Sequence, residues 1–336
     1  MADNRMGARA ARVYMVRHGQ TTSNVVHALD TELPGASLTE LGEQQARRAG
    51  EELARVVGGG AVLDESERAE ESVNEREDAG AREREAAGTG EGVERSVRLA
   101  SSEADRARQT AAHIATALSE AGVTIASHQV LPGISEIPAG ELEMLTDESS
   151  HAEYHMSFGA WLMGDVQRPV RGALNGYQVL ERYLPSLFAF LAEEGEGEGS
   201  GESAGAGERE GAGAAEQAGA GAAEQAGAGA AEQAGAGAAE QAGAESAASA
   251  GDVVIVSHGA VIRFVTAFLG NINADFAFST YVANTQWVEM ELPSREVLLG
   301  LASKARELSA DDAGGFEAFR GCMTVTSWAG HVPVRA

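Results

Sequence analysis

Val13-Tyr14-Met15-Val16-Arg17-His18-Gly19-Gln20-Thr21-Thr22-Ser23-Asn24 is the stretch from which the rest of the chain can be read. Its four leading apolar residues predict a short buried strand. The run then breaks at once into Arg17-His18-Gly19 and a polar segment. An arginine and a histidine are therefore expected at the carboxyl end of a central strand, where ligands sit in open α/β sheets. The tripeptide alone recurs by chance. It gains weight from a second apolar run late in the chain, Val253-Val254-Ile255-Val256-Ser257, which also ends in a histidine and a glycine, His258-Gly259.

The formal net charge of −26 is concentrated in two places. Residues 64–95 hold twelve acids against five arginines, and residues 193–252 hold thirteen acids against one arginine. The remainder is only mildly acidic, so an oxyanion pocket is compatible with the total. A basic face of the kind that binds nucleic acid is absent. Cys322 is the single cysteine, so no intrachain disulfide forms. No apolar run approaches the roughly 18 residues of a membrane span, and the first dozen residues lack the apolar core of a signal peptide. These features predict a soluble, cytoplasmic protein with neither a nucleic-acid nor a membrane partner.

Residues 64–95 carry almost no large apolar side chains and are expected to be mostly disordered, because such a segment buries too little surface to offset its ordering entropy. Residues 194–250 are low in complexity, with Gly-Ala-Gly-Ala-Ala-Glu-Gln-Ala occurring four times between Gly211 and Ala242. Two glycines per eight residues oppose a helix, and no apolar face is present for a solenoid to stack. The segment reads as a flexible Gly/Ala/Glu-rich insertion. Long loops are tolerated because closure entropy grows only as the logarithm of their length. Without the two insertions about 240 residues remain, which fits one domain over 12–330.

Within that domain Thr39 is a plausible N-cap for a helix to about Val57, with Leu41, Ala49, Leu53 and Val56 as its apolar stripe. Residues 97–101 predict a strand and 105–118 a helix; 123–125 form a further short strand. Tyr154, Phe158, Trp161 and Leu162 sit at helical spacing and read as packing. A helix from Tyr177 to Ala192 is expected to kink at Pro185. Ala260 to Leu269 reads as a helix capped by Gly270, with strands near 284–292 and 322–328. Alternation of strands and helices argues for an α/β fold with helices on both faces of the sheet.

The motifs resemble those of the histidine phosphatase superfamily. An R-H-G-x-T-x-x-N run is matched by Arg17 to Asn24. An S-x-x-x-R-A-x-x-T run is matched by Ser102, Arg106, Ala107 and Thr110, an E-x-x-x-G-x-x-E run by Glu136, Gly140 and Glu143, and a late S-H-G by Ser257, His258 and Gly259. They occur in family order. The resemblance implies a three-layer phosphoglycerate mutase-like fold with a mostly parallel central sheet, and residues 136–192 would cover the site.

It also implies a phosphomonoesterase of the histidine acid phosphatase type, acting on a small phosphorylated substrate. His18 is then the nucleophile, neutral and held in one tautomer. Arg17 and Arg106 offer planar forks to phosphoryl oxygens, and a protonated His258 donates to the same group. Thr21, Asn24 and Gly259 complete the phosphate contacts, although Asn24 also suits a plain cap or turn. A leaving alkoxide needs a proton. Spacing alone leaves Glu136, Glu141, Glu143 and Asp147 as rivals for that task, and the resemblance selects Glu136.

The mutase branch typically shows an E-R-H-Y-G-like run at the acid. Here the chain reads Glu136-Ile137-Pro138-Ala139-Gly140, which favours a phosphatase over a phosphoglycerate mutase-type phosphotransferase. The segment Arg171-Gly172-Ala173-Leu174-Asn175-Gly176 also departs from the family's Gly-Gly-Glu-Ser-like pattern. A non-catalytic scaffold with acidic interaction loops is a third reading, opposed by the intact set of Arg17, His18, Arg106, Glu136 and His258. His151 and His155 lie i, i+4, but without a third ligand pattern nearby no metal is expected. No P-loop or dinucleotide-type glycine motif is present, so no cofactor is expected either.

Overall fold

β1 (Arg12–Arg17) and β4 (Asp252–Ser257) lie side by side in parallel, with Val13 opposite Val253 and Arg17 opposite Ser257. Around this pair the computed structural model, which describes residues 10–57, 95–193 and 251–336, builds one six-stranded sheet. β2 (Ser96–Ser101) joins β4 in parallel, and β3 (Thr124–Val130) joins β2 in parallel. On the other side β5 (Trp287–Glu291) runs antiparallel to β1, and β6 (Val325–Trp328) antiparallel to β5. The order is β3-β2-β4-β1-β5-β6.

The unbroken apolar runs of β1 and β4 are those of strands covered on both faces. Successive side chains point to opposite faces, and the two cores divide them accordingly. Val13, Met15, Val253 and Ile255 pack on one side, and Tyr14, Val16, Val254 and Val256 on the other. The second face is covered by α2 (Glu40–Val56) and α3 (Asp105–Glu120). The first is covered by α4 (Glu148–Leu162), α5 (Gly176–Ala192), α6 (Gly259–Gly270) and α8 (Arg295–Ala305). Two short helices complete the set, α1 (Thr22–Val25) and α7 (Ala274–Ser279). No described helix is long and apolar enough to cross a membrane.

Several local expectations are corrected. Thr39 caps α2 as expected, accepting from the Gly42 amide, but Leu41 is exposed. The buried face is instead Gly42, Ala46, Ala49, Gly50, Leu53 and Ala54. Small residues there let α2 lie close against α3, so steric fit overrides the count of large apolar side chains. Asn271, not Gly270, takes the left-handed cap of α6, with φ 46°; asparagine is among the residues that tolerate it. The expected helix to Ala192 is present as α5, with Pro185 inside it. α7 and α8 were not expected from the sequence.

Arg98 is a buried charge on β2. It donates from Nη1 to the Phe190 carbonyl at 2.6 Å and from Nη2 to the Leu191 carbonyl at 3.3 Å, so a cation meets the carboxyl end of α5. The same residue pairs with Val253 across the sheet. Arg98 thus links the end of α5 to the β2–β4 pair. Arg95 similarly ties β2's entry to α2, donating to the Ala54 carbonyl at 2.8 Å. Residues 64–94 and 194–250 lie outside the described residues, and the single domain over 12–330 remains our proposal. Replacing 64–94 and 196–249 with short Gly/Ser linkers should then move the melting temperature by only a few degrees. A chain that no longer folds would place those segments in the core.

Candidate active site

Parallel pairing brings both strand ends out at one level, and His18 donates its backbone N–H to the Ser257 carbonyl at 3.1 Å. The turn at Gly19 packs directly on the first turn of α2. A Cβ on Gly42 would stand 2.1 Å from the Gln20 carbonyl oxygen, and one on Gly19 would stand 2.5 Å from that of Gly42. The His18 ring is buried, and its Nδ1 lies 2.8 Å from the Gly19 carbonyl. A carbonyl only accepts, so Nδ1 carries the proton and Nε2 keeps its lone pair. Burial first, then the Arg106 and Arg17 charges, hold the His18 pKa well below its ordinary value. The imidazole is neutral at physiological pH.

The residues of the S-x-x-x-R-A-x-x-T motif meet this point from α3 and the turn before it. Thr110 Oγ1 accepts from the Gly19 amide at 3.0 Å, and Ser102 Oγ lies 2.7 Å from His258 Nε2. Arg106 donates from Nε to His258 Nδ1 at 3.2 Å, and its Nη1 stands 3.8 Å from Asp30 Oδ1. Asp30 is itself fixed by Ser23 Oγ at 2.7 Å and the Ala36 amide at 2.8 Å. His258 is thus held between Ser102 and Arg106. Both of its ring nitrogens are engaged, the residue is fully buried, and it does not line the cavity. Burial and the Arg106 charge hold its pKa well below the usual histidine value, so the ring is neutral here.

Glu136 approaches from the loop after β3 and closes the N-terminus of α6. Its Oε1 accepts from the Ile137 amide at 2.9 Å and the Val261 amide at 2.8 Å, and its Oε2 from the Ala260 amide at 3.1 Å. Helix N-termini favour such anions. The rival carboxylates have other tasks. Glu143 holds the loop at Thr31 and Glu32, accepting from both amides and the Thr31 hydroxyl. Asp147 caps α4, and its hydrogen bonds from Ser149 and Ser150 push its pKa down. Glu141 is exposed beside Arg171. Of the four, only Glu136 lines the cavity.

That cavity has a volume of ≈ 410 Å³, and Arg17, His18, Arg106 and Gly259 line it together with Glu136. The Arg17 guanidinium lies 5.0 Å from the Tyr281 ring centre and donates to the Val282 carbonyl at 2.9 Å. Two guanidinium nitrogens, Arg17 Nε and Arg106 Nη1, are buried with no hydrogen-bond partner. Thr21 and Asn24 also line the cavity, and they form a capping box on α1. The cap reading of Asn24 holds, since its Oδ1 accepts from the Thr21 amide at 3.2 Å; its Nδ2 has no partner among the described residues.

Three wall residues escaped the sequence reading. Asn284 Nδ2 donates to the His18 carbonyl at 2.9 Å, and Tyr281 stacks on Arg17. Nothing in their local sequence distinguishes them. Arg263 had a signal, since it is the only charged residue in the fully buried α6. His151 and His155 also face the cavity, their ring centres 6.4 Å apart, and His151 Nε2 donates to the His27 carbonyl at 2.6 Å. Among the described residues no group of three or more His, Cys, Asp or Glu is placed to hold a metal.

The profile of the histidine phosphatase superfamily (branch 1) matches residues 13–80 and 74–199, together more than half of the chain. The chain belongs to the histidine phosphatase superfamily. No curated protein matches it at a significant level. Among solved structures, mycobacterial glucosyl-3-phosphoglycerate phosphatase with VO3 is 19% identical, with a TM-score of 0.50 over 95% of this chain and 99% of that one. Phosphoserine phosphatase from Entamoeba histolytica with 3-phosphoglyceric acid is 15% identical, with a TM-score of 0.44 over 83% and 89%. Alpha-ribazole phosphatase from Shigella flexneri is 16% identical, with a TM-score of 0.42 over 84% and 92%. The likeness to the first of these concerns the fold alone. The superfamily profile ends before His258, which joins the other motifs here through the β1–β4 pairing.

In this superfamily member a glycine sets the position of the second arginine. Gly35 has φ +70°, and a Cβ there would stand 2.0 Å from Arg106 Nη1. Gly35→Ala should therefore displace the guanidinium and weaken binding of inorganic phosphate about 10-fold or more by calorimetry. The left-handed backbone adds a strain of about 1–2 kcal/mol, a fall of several degrees in melting temperature for a domain of this size. Unchanged phosphate affinity would show that Arg106 does not depend on this contact.

Proposed function

We propose that the protein is a phosphomonoester hydrolase that works through a phosphohistidine on a small phosphorylated metabolite. The observation that carries this reading is the neutral His18, with Nε2 unprotonated, beside two guanidinium groups that each keep a buried donor without a partner. Phosphoryl transfer spreads negative charge over three equatorial oxygens, and donors fixed in advance stabilise it most. Arg17 and Arg106 supply those donors, with the Thr21 hydroxyl, Asn24 Nδ2 and the backbone at Gly259 beside them. His258 aligns Arg106 through Nδ1 in the free enzyme. Donation from a protonated His258 to the phosphoryl group would require Nδ1 to part from Arg106 Nε, since both would then be donors.

His18 Nε2 attacks phosphorus, forming the P–N bond as the P–O bond to the leaving group breaks. The leaving oxygen takes its proton from Glu136. The proton is best placed on Oε2, which meets one amide where Oε1 meets two. Water then attacks the phosphohistidine, its proton passes to Glu136, and the P–N bond breaks to release phosphate and restore neutral His18.

His18→Ala should abolish turnover, and acid-quenched wild type incubated with substrate should retain acid-labile phosphate. Protonated imidazole has no lone pair to attack with. The rate should therefore fall with decreasing pH only below the ordinary histidine range, as the lowered His18 pKa is passed. Release of free phosphate, rather than its return to the organic product, separates hydrolysis from mutase chemistry. Substantial turnover by His18→Ala would sink the mechanism.

A second variant addresses the acid. Glu136→Gln places an NH2 group opposite the Ala260 amide, so it perturbs the α6 terminus as well as removing the proton, and its melting temperature must be measured alongside. General acid catalysis is typically worth about 10²–10⁴-fold. That loss is expected on alkyl phosphates, whose leaving groups are strongly basic, and should be much smaller on nitrophenyl phosphate. Equal losses on both would move the role to another group.

A further inference from the structure

Arg263 is a buried cation that the phosphoryl chemistry leaves unused. It is 5% exposed, yet it lines the cavity. Three sides of its guanidinium are settled. Nε donates to the Ala277 carbonyl at 3.1 Å and Nη2 to the Phe278 carbonyl, both at the end of α7. The Phe158 ring centre lies 4.7 Å from Cζ, and the Tyr281 ring centre 6.0 Å away. Nη1 is left with no hydrogen bond among the described residues. Burial lowers the Arg263 pKa to about 10, which still leaves it a full cation at neutral pH.

Its position relative to Glu136 decides what it can meet. Glu136 is bound by the amides of Ala260 and Val261, and Arg263 follows two residues later on the same helix. At 1.5 Å per residue that is about 3 Å along the axis, and helical side chains lean back toward the N-terminus. A leaving oxygen protonated by Glu136 therefore carries its first substituents past Arg263. His155 stands nearby on α4, and burial followed by the Arg263 and His151 charges lowers its pKa, so it contributes no further positive charge at neutral pH. One unpaired cation with one free nitrogen matches one negative charge.

We infer that the leaving group of the substrate carries a carboxylate, bound by Arg263 Nη1. This rests on the phosphatase reading of the same cavity, because it places the leaving oxygen at Glu136. The protein would thus prefer phosphorylated hydroxy acids to phosphorylated neutral alcohols.

Binding to His18→Ala, which does not consume ligand, tests this without turnover. Calorimetry should show 3-phosphoglycerate bound at least 10-fold more tightly than glycerol 3-phosphate. Adding Arg263→Gln should erase that difference, and Arg263→Lys, which keeps the charge, should restore part of it. In otherwise wild-type protein, Arg263→Gln should lower the ratio of kcat/KM for 3-phosphoglycerate over glycerol 3-phosphate by about 10- to 100-fold. Equal affinities for the two ligands, or tighter binding of propane-1,3-diol bisphosphate than of 3-phosphoglycerate, would overturn the inference. So would a preference that survives Arg263→Gln in a folded protein. Wild type that hydrolyses nitrophenyl phosphate with no carboxylate preference overturns this inference alone. Wild type that hydrolyses no phosphomonoester overturns the phosphatase reading, and the calorimetric difference still decides whether Arg263 binds a carboxylate.

Discussion

The site depends first on the parallel ladder between β1 and β4. The register that sets Arg17 against Ser257 means that two segments some 240 residues apart in the chain leave the sheet together. The ladder is held by side chains buried on both faces, from Val13 to Val16 and from Val253 to Val256. Fully burying each such residue is worth about 1.5–3 kcal/mol, so a slip in register is strongly opposed. It would also move these residues to the wrong faces. The antiparallel β5 on the other side of β1 adds a third fixed point, because Thr285 and Gln286 bond the backbone of Arg17 and bring Asn284 under the His18 carbonyl.

Charge is the second constraint. Arg17 and Arg106 are drawn into a region that holds two buried histidines, and burial lowers the Arg106 pKa while Asp30, Glu136 and Glu143 raise it. A buried cation is stabilised only if its donors are met. Here the donors are met only in part: Arg106 Nε by His258 and Arg17 Nη1 by Tyr281 and Val282, with the Asp30 carboxylate 3.8 Å from Arg106 Nη1 as a charge contact. Burial first, and then the same positive field, keeps both imidazoles neutral. One arrangement therefore yields an unprotonated nitrogen and an unmet demand for oxyanion, which is the pairing that phosphoryl transfer to histidine requires.

These constraints differ in how far they show in the sequence. The two central strands announced themselves as apolar runs, and the helices of the cores by their periodicity and by caps such as Thr39. Edge elements did not. β3 alternates exposed and half-buried positions and so reads as a shorter strand, and α7 and α8 lack a strong stripe. At the site, Arg17, His18, Arg106 and Glu136 were legible because each lies in a spaced motif. Asn284 and Tyr281 were not, because their roles arise only when a loop far along the chain folds back over β1. His258 was legible as a member of the site, but its partners were not: its contact with Arg106 joins residues 152 positions apart in the chain.

α6 joins the two halves of the site in a way neither its composition nor its motif reveals. Its first-turn amides hold Glu136, its preceding residue is His258, and its second turn carries Arg263. The helix is buried all round, which fixes it between the sheet and the covering helices α4 and α7. Rigid burial matters here because the acid and the free cation must keep a constant separation if a leaving group is to reach both. An arginine in such a helix is tolerated only because the carbonyls at the end of α7 and the faces of Phe158 and Tyr281 replace water around most of its guanidinium. The one nitrogen they leave uncovered is the point at which, on the reading proposed above, the fold rather than the motif residues would select among phosphate esters.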